Sequence, residues 1–475
     1  MAHACSVTRA MASSVAEPAR VGTTAKRGVV VAVAVAVFCV DVDFFALNLA
    51  LPAIARELHV TTTDLQWAIA VYQLTLASFL IPGGRLGDLL GRKRVLLAGI
   101  GIFGFASLLC GASQSAEMLI CARFVQGLGA SLLFPVGISV ISNTFPVAER
   151  GKAIGNVYGV GAIGTAVGPF VGGLLTDVID WRWVFFFNVP FALAALVLTV
   201  RHVDESRDTS AQGIDFRGLV AITAGIAAVT YAIDRGSTWG WLMASTLILA
   251  AAGIALLFAF VAIERRVRSP LVDLDLFHNM PYVLVTSAGM VGNLAFCLML
   301  FLSTIYLQQV RDLSPLLAGV VFLGPALANA AAGVLAGRLA ARGSLPHHVM
   351  GAALAISALA LFGLSIFTGW PWYISAFTLA GFGLGITWAY ASIGTQAVVP
   401  ESMAGGASGL TLAGAVGAGG LAVVVGATIL EVLTAHGNST TDAIQVMMAV
   451  IAGLAALAAL ALASCGRLIR ARAAP

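Results

Sequence analysis

The chain has 475 residues, of which 59% are apolar and only 10% charged, with a mean hydropathy of +0.96. A soluble core of this length cannot hide so much apolar surface, so the composition excludes a water-soluble globular protein and makes lipid the solvent. The formal net charge of +4 comes from basic residues scattered through short loops rather than gathered on one surface, which excludes a nucleic-acid-binding role.

A bilayer core about 30 Å thick takes roughly 20 apolar residues per helix, and such runs recur along the whole chain. Cutting at charged, Pro-rich and Gly-rich breaks predicts spans at 28–50, 64–82, 95–113, 118–141, 153–176, 183–201, 217–234, 242–263, 282–306, 315–336, 349–368, 371–395, 406–431 and 443–465. Fourteen spans place both termini on one side. With the termini inside, the inner segments hold 21 of the Lys and Arg residues and the outer loops only Arg56, Arg182, Arg235 and Arg311, so the termini are predicted to be cytoplasmic. Residues 1–27 read as a cytoplasmic tail and 467–475 as a second, short one. The first apolar run, Gly28 to Ala50, is too long for a cleaved signal peptide. The six Cys residues show no CxxC pair and no ligand-like spacing, and read as small packing residues.

Span 1 carries two carboxylates, Asp41 and Asp43, ahead of the run Asn48-Leu49-Ala50-Leu51-Pro52. Residues two apart on a helix point to nearly opposite faces, so the two cannot both line one cavity. Asp43 lies about 25 Å along the helix from Arg27, at 1.5 Å per residue. Asp41 shares a face with Phe45 and Asn48, so helical spacing alone slightly favours it as the working carboxylate. After span 2 comes Gly84-Arg85-Leu86-Gly87-Asp88-Leu89-Leu90-Gly91-Arg92-Lys93-Arg94, a basic turn in which Asp88 can pair with a basic residue or a helix N-terminus across an interface.

Span 4 contains Arg123-Phe124-Val125-Gln126-Gly127-Leu128-Gly129-Ala130. A charge within a span costs at least about 2.5 kcal/mol at mid-membrane unless paired or wetted, so Arg123 either works in the protein or snorkels to the nearby interface. Span 5 carries Gly161, Gly164, Gly168, Pro169, Gly172 and Gly173, a small-residue seam that lets helix backbones approach. Between spans 5 and 6, Asp180-Trp181-Arg182-Trp183-Val184-Phe185-Phe186-Phe187-Asn188-Val189-Pro190 places an aromatic belt at the outer interface.

The chain also echoes itself. Gly84-x-Leu86 recurs as Gly333-x-Leu335, and Pro146, Gly151 and Gly155 as Pro400, Gly405 and Gly409, at offsets of 249 and 254. Two near-equal offsets suggest six-span halves at 28–201 and 282–466, with spans 7 and 8 inserted within 202–281. His347-His348, Glu431 and Asp442 read as solvated loop residues, and no metal site is expected. No clustered His, Cys or carboxylate constellation suggests an enzyme, and no phosphate-binding loop makes ATP the direct energy source.

The run from Gly84 to Arg94 resembles the signature loop of the major facilitator superfamily, departing at Leu89, where the family commonly has a basic residue. The resemblance implies a conformational latch at Gly84, Asp88, Gly91 and Arg92, and an asymmetric one, because the second-half echo has Gly337 where Asp88 stands. Gly164, Gly168, Pro169, Gly172 and Gly173 resemble the antiporter motif of exporters in that superfamily. Arg123, Gln126 and Gly127 match its span-4 motif, whose Arg is associated with proton transfer. The family pattern of an Asp five residues before Asn-x-Ala-Leu-Pro selects Asp43 over Asp41 as the proton carrier. The order Trp-Arg-Trp, Phe, Asn, Pro at 181–190 is similar to fourteen-span drug/proton antiporters.

The resemblance covers spans 1–6 well and the second half mainly through span count and echoes. It implies an all-α polytopic membrane protein of major facilitator fold, two six-helix halves plus an inserted pair. Its implied activity is proton-coupled antiport, exporting drugs, antibiotics or similar lipophilic molecules across a bacterial cytoplasmic membrane. The proton gradient would drive it without a cofactor, and the partners would be a small organic substrate, protons and the bilayer, with the protein a monomer. The competing readings are a dedicated exporter of one endogenous metabolite, separated by substrate breadth, and a non-transporting membrane sensor or scaffold, against which the short loops argue.

Overall fold

The computed structural model describes residues 23–62, 64–207, 213, 215–267, 270–400 and 403–473. Most of the tail read at 1–27, with Arg9 and Arg20, lies outside the described residues, as do Arg268 and the side chains of Arg467, Arg470 and Arg472. The described residues fold entirely into helices and turns. Fourteen helices are long and apolar enough to cross a membrane. They are α1 (Lys26–Glu57), α2 (Asp64–Leu90), α3 (Arg92–Gly111), α4 (Ala116–Thr144), α5 (Lys152–Val178), α6 (Arg182–His202) and α7 (Phe216–Trp239). They continue as α8 (Ala244–Glu264), α9 (Met280–Val310), α10 (Pro315–Ala341), α11 (Pro346–Ile366), α12 (Trp370–Val398), α13 (Gly406–Ala435) and α14 (Thr440–Ser464). Exposed side chains such as Ile248, Ile254 and Phe258 on α8 belong against lipid, since a surface this apolar has no place in water. The chain is a multi-pass membrane protein.

Local chemistry sets the helix ends. Ser115 caps α4 by accepting from the Met118 N–H, Ser314 caps α10 through Leu317, and Asn279 caps α9 through Tyr282. Pro315, Pro346 and Pro371 sit in first turns, where the missing N–H has no intrahelical partner to lose. Two expected boundaries move. The prediction ends span 2 at Pro82, yet the helix runs on to Leu90 with Pro82 buried inside it, and the supposed turn is helical up to Gly91. Gly91, at φ 110°, makes the break instead, a backbone conformation open to glycine. Span 6 is interrupted at Phe187, between helical pieces Arg182–Phe186 and Asn188–His202.

Packing repeats with a period of eight helices. In the first half α1 packs on α5 and α6, α3 on α4 and α6, and α2 on α4. In the second half α9 packs on α13 and α14, α11 on α12 and α14, and α10 on α12. The halves meet where α5 crosses α10 and α2 crosses α13, again a matched pair, while α7 and α8 pack on each other and reach α2 and α13 through α7.

Glycines place both kinds of contact. A Cβ at Gly164, Gly168 or Gly172 would press on the α1 backbone, at 2.9 Å from Phe38 O, 3.1 Å from Val42 O and 2.6 Å from Ala46 Cα. Gly173 faces α10 instead, against Pro315 and Gly319, and Gly319 in turn lies against Pro169 and Phe170. Four and five helical turns from Gly173, on the same face of α5, Gly159 and Gly155 meet nothing within 4 Å. The same distances from Gly319 along α10 reach Gly333 and Gly337, which also meet nothing. The two helices therefore touch at one end of the bundle and part at the other, the end that carries the basic loops.

Above the point of contact a continuous apolar cluster joins Leu49 and Ala50 to Phe301, Phe322 and Val423, and Gln308 Nε2 donates to Leu49 O at 2.9 Å. The bundle is sealed at that end and open at the basic end. Gly172→Ala should destabilise the protein by about 1–3 kcal/mol through overpacking against Ala46, seen as a lower unfolding midpoint in detergent. Gly155→Ala should leave that midpoint unchanged.

Candidate functional site

The first half is organised around one buried ion pair. Arg123, on α4, is 1% exposed and Asp43, on α1, is 0% exposed, and Arg123 Nη1 lies 2.5 Å from Asp43 Oδ2. Gly127 brings α4 to this depth: a Cβ there would sit 2.7 Å from Tyr72 O on α2, so glycine allows the two backbones to close up. The guanidinium then lies 4.1 Å from the Tyr72 ring centroid and donates from Nε to Ala68 O at 2.9 Å. Arg123 thus turns into the bundle and does not snorkel to the interface.

The carboxylate is equally well held. Asp43 Oδ1 accepts from Gln126 Nε2 at 2.9 Å and from Asn188 Nδ2 at 2.7 Å. Gln126 bridges the pair, because its Oε1 accepts from Arg123 Nη1 at 2.6 Å while its Nε2 also donates to Ser107 Oγ at 2.9 Å. Five helices, α1, α2, α3, α4 and α6, supply one connected polar network. Taking two charges out of water costs several kcal/mol per ion, and their mutual attraction together with these hydrogen bonds offsets it.

Asp41 faces the other way. It lines a central cavity between the halves, about 820 Å³ counting the open space at its mouth, with Phe44, Phe45 and Phe134 from the first half and Asn293, Phe296 and Trp388 from the second. The cavity closes toward the sealed end where the Phe45 and Phe296 rings meet edge-on, 5.9 Å apart.

The sequence-derived sites thus fall into three places. Asp43, Arg123, Gln126 and Gly127 come together; Asp41 stands apart in the cavity; and Gly164, Gly168, Pro169, Gly172 and Gly173 form the crossing of α5 with α1 and α10. The fourth group, around Gly84, lies at the basic end. Asp88 was expected to reach across an interface, but in this open conformation it accepts from Arg92 Nη2 at 2.7 Å and Nε at 3.0 Å, within its own loop. Gly84 packs against Pro135 of α4. Beyond Gly91 the chain is tied to the segment after α6, with Arg92 N donating to Ser206 O and Lys93 N to Glu205 Oε1. Arg85 reaches the linker after α8 through Pro270 O.

Asn188, Ser107 and Tyr72 belong to the network and were not singled out as such. Asn188 was read as part of an outer aromatic belt, whereas it is fully buried. The signal available for it was an amide inside an apolar run, which a search for charges passes over. The belt itself has a second use, since Trp181 Nε1 and Arg182 Nη1 both donate to Glu57 and pin the outer end of α6 to α1.

The chain matches the family model described as Major Facilitator Superfamily over residues 33–413. It is 34% identical over 393 residues to "Multidrug resistance protein Stp" of Mycobacterium tuberculosis (strain CDC 1551 / Oshkosh), covering 80% of this chain and 71% of that one. It is 33% identical over 391 residues to "Tetracenomycin C resistance and export protein" of Streptomyces glaucescens, covering 80% and 71%. A crystal structure of the peptide transporter POT in complex with sulfate shares the fold at a TM-score of 0.67, with 15% identity, over 93% of this chain and 94% of that one.

Removing one partner of the buried pair leaves an uncompensated charge. Arg123→Met should cost about 3–5 kcal/mol, measured as a drop in the unfolding midpoint, and adding Asp43→Asn to it should recover most of that loss. A double variant no more stable than Arg123→Met would show that the pair is not what holds these helices together.

Proposed function

The chain belongs to the Major Facilitator Superfamily and is a membrane transporter rather than an enzyme, and we propose that it is a proton-coupled exporter of drugs, antibiotics or similar lipophilic molecules. Relatives named for multidrug resistance and for tetracenomycin C export support the substrate class. The observation that carries the reading is the cavity between the halves, open at the basic end and sealed at the other, beside a buried ion pair able to take up a proton. The excess of basic residues in the loops at the open end supports a cytoplasmic position for that end and for both termini, in a bacterial cell. The conformation is then inward-open, the state that loads a substrate for export.

In the cycle, an apolar or amphiphilic molecule enters from the cytoplasm and fills the cavity against Phe44, Phe45, Phe134 and Trp388. The halves rock about the α5–α10 and α2–α13 crossings, closing the cytoplasmic end and opening the outer one. The α5 glycines, with no side chains to unlock, let α5 shift against α1 and α10 during that motion. Asp43 takes a proton from outside. A neutral Asp43 no longer attracts Arg123, so the network through Gln126 and Asn188 loosens and α1 becomes free to move relative to α4. Return to the inward-open state re-forms the pair and expels the proton to the cytoplasm. Binding protons and substrate in different states of one protein is what couples them. The protein works as a monomer, since the two halves of one chain complete the cavity.

Inverted vesicles loaded with a pH-sensitive dye, acidic inside, should show luminal alkalinisation when lipophilic drugs are added, and Asp43→Asn should abolish it while inserting normally. Full drug-dependent proton movement in Asp43→Asn would remove Asp43 from the coupling. A cysteine placed at Gly155 should react with a membrane-impermeant maleimide in inverted vesicles and not in right-side-out cells; the reverse pattern would invert the orientation.

A further inference from the structure

We propose that Asp41 is the charge-selecting residue of the cavity, binding the cationic group of an amphiphilic organic substrate, a protonated amine or an onium ion, at a position separate from the Asp43–Arg123 pair. The inference rests on the reading that the central cavity carries the substrate. Among the described residues lining that cavity Asp41 is the one charged side chain, and its neutral polar companions are Thr165, Asn293 and Asn329. Asp43, two residues on, is saturated by Arg123, Gln126 and Asn188, whereas no hydrogen bond or ion pair engages the Asp41 carboxylate among the described residues. Helix geometry explains the division: residues two apart on α1 look to nearly opposite sides, one into the first-half bundle and one into the cavity.

The room for that carboxylate is provided by α5. A Cβ at Gly161 would collide with Asp41 Oδ2, and one at Gly164 would approach Asp41 Cβ to 3.3 Å. The glycine seam therefore does more than let helices approach: at its cytoplasmic end it leaves space for a negative charge at the cavity wall. An unpaired carboxylate beside apolar walls is costly and is stabilised by a proton or by an incoming cation. The wall around it suits the second. Phe44, Phe45, Phe134, Phe296 and Trp388 offer ring faces that attract a cation and apolar surface for its organic body. An organic anion meets repulsion from Asp41 and finds no cationic partner on the described wall, because Arg123 is spent on Asp43.

The test is direct binding to the detergent-solubilised full chain, with radiolabelled tetraphenylphosphonium as the cation and Nile red as the neutral lipophilic probe. Asp41→Asn should weaken tetraphenylphosphonium binding at least about tenfold relative to Nile red, the loss expected on removing one charge-assisted contact. Asp41→Glu should restore most of it. Wild-type protein that does not bind tetraphenylphosphonium, an unchanged ratio of affinities in Asp41→Asn, or an equal loss in Asp41→Glu each overturns the proposal. Cation binding that follows this pattern in a protein showing no drug-dependent proton movement would uphold the role of Asp41 and sink proton-coupled export. Proton movement with an unchanged ratio would do the opposite.

Discussion

The Asp43–Arg123 pair is the constraint from which the first half is built. Two opposite charges in a membrane interior are tolerable when they are paired and hydrogen-bonded, and here that takes groups from five helices. Gln126 must lie between the charges, Asn188 must come from beyond the break in α6, and the Ala68 carbonyl must face Arg123 from α2. The chain at α6 serves two depths at once, Asn188 reaching Asp43 inside the bundle while Trp181 and Arg182 hold Glu57 at the surface. The pair is thus a fastening between α1 and α4. No other ionic contact in the described residues is so completely enclosed.

Motion has the opposite requirement, and glycine supplies it. A pair of helices locked by large interdigitating side chains cannot change crossing angle without breaking apart, whereas backbones in contact through glycine can. Both faces of α5 are made this way, one toward α1 and one toward α10, and Gly319 answers Gly173 from the other side. The second half differs here, as Gly414 and Gly426 of α13 lie against the Met290 and Leu298 side chains of α9 rather than against its backbone. What makes the device a hinge rather than a weld is that only one end of the α5–α10 face is occupied.

Much of this was legible in the sequence, for reasons that also mark where legibility stops. Hydropathy found all fourteen helices, since twenty apolar residues in water have no other fate, but it cut α2 at Pro82 because proline and glycine dilute the signal without ending a membrane helix. In the Gly-rich stretch after residue 381, Gly381, Gly383 and Gly385 are the points where α12 meets α10 and α11. Charges inside spans led straight to Arg123, Asp41 and Asp43. Which carboxylate meets Arg123 was not decidable from spacing, because that depends on how α1 is rotated about its axis, a property of α4, α5 and α6 rather than of α1. Asn188 and Ser107 escaped because neutral polar residues are common in membrane helices, and only their convergence on Asp43 distinguishes them.

The rotation of α1 also decides how two ions can be handled by one helix. Had Asp41 and Asp43 shared a face, a proton and a substrate cation would contend for the same place, and exchange would rest on direct displacement. With the carboxylates on opposite faces, displacement of one by the other is geometrically closed off, and what links them is the rigid body of α1 itself. Gly161 and Gly164 hold α1 on the Asp41 side while Gln126 and Arg123 hold it on the Asp43 side. Such an arrangement can export a neutral molecule with the same machinery as a cation, since the proton step does not need the substrate's charge. On the function proposed above, breadth of substrate would follow from keeping the proton's site and the substrate's site on one helix but out of each other's reach.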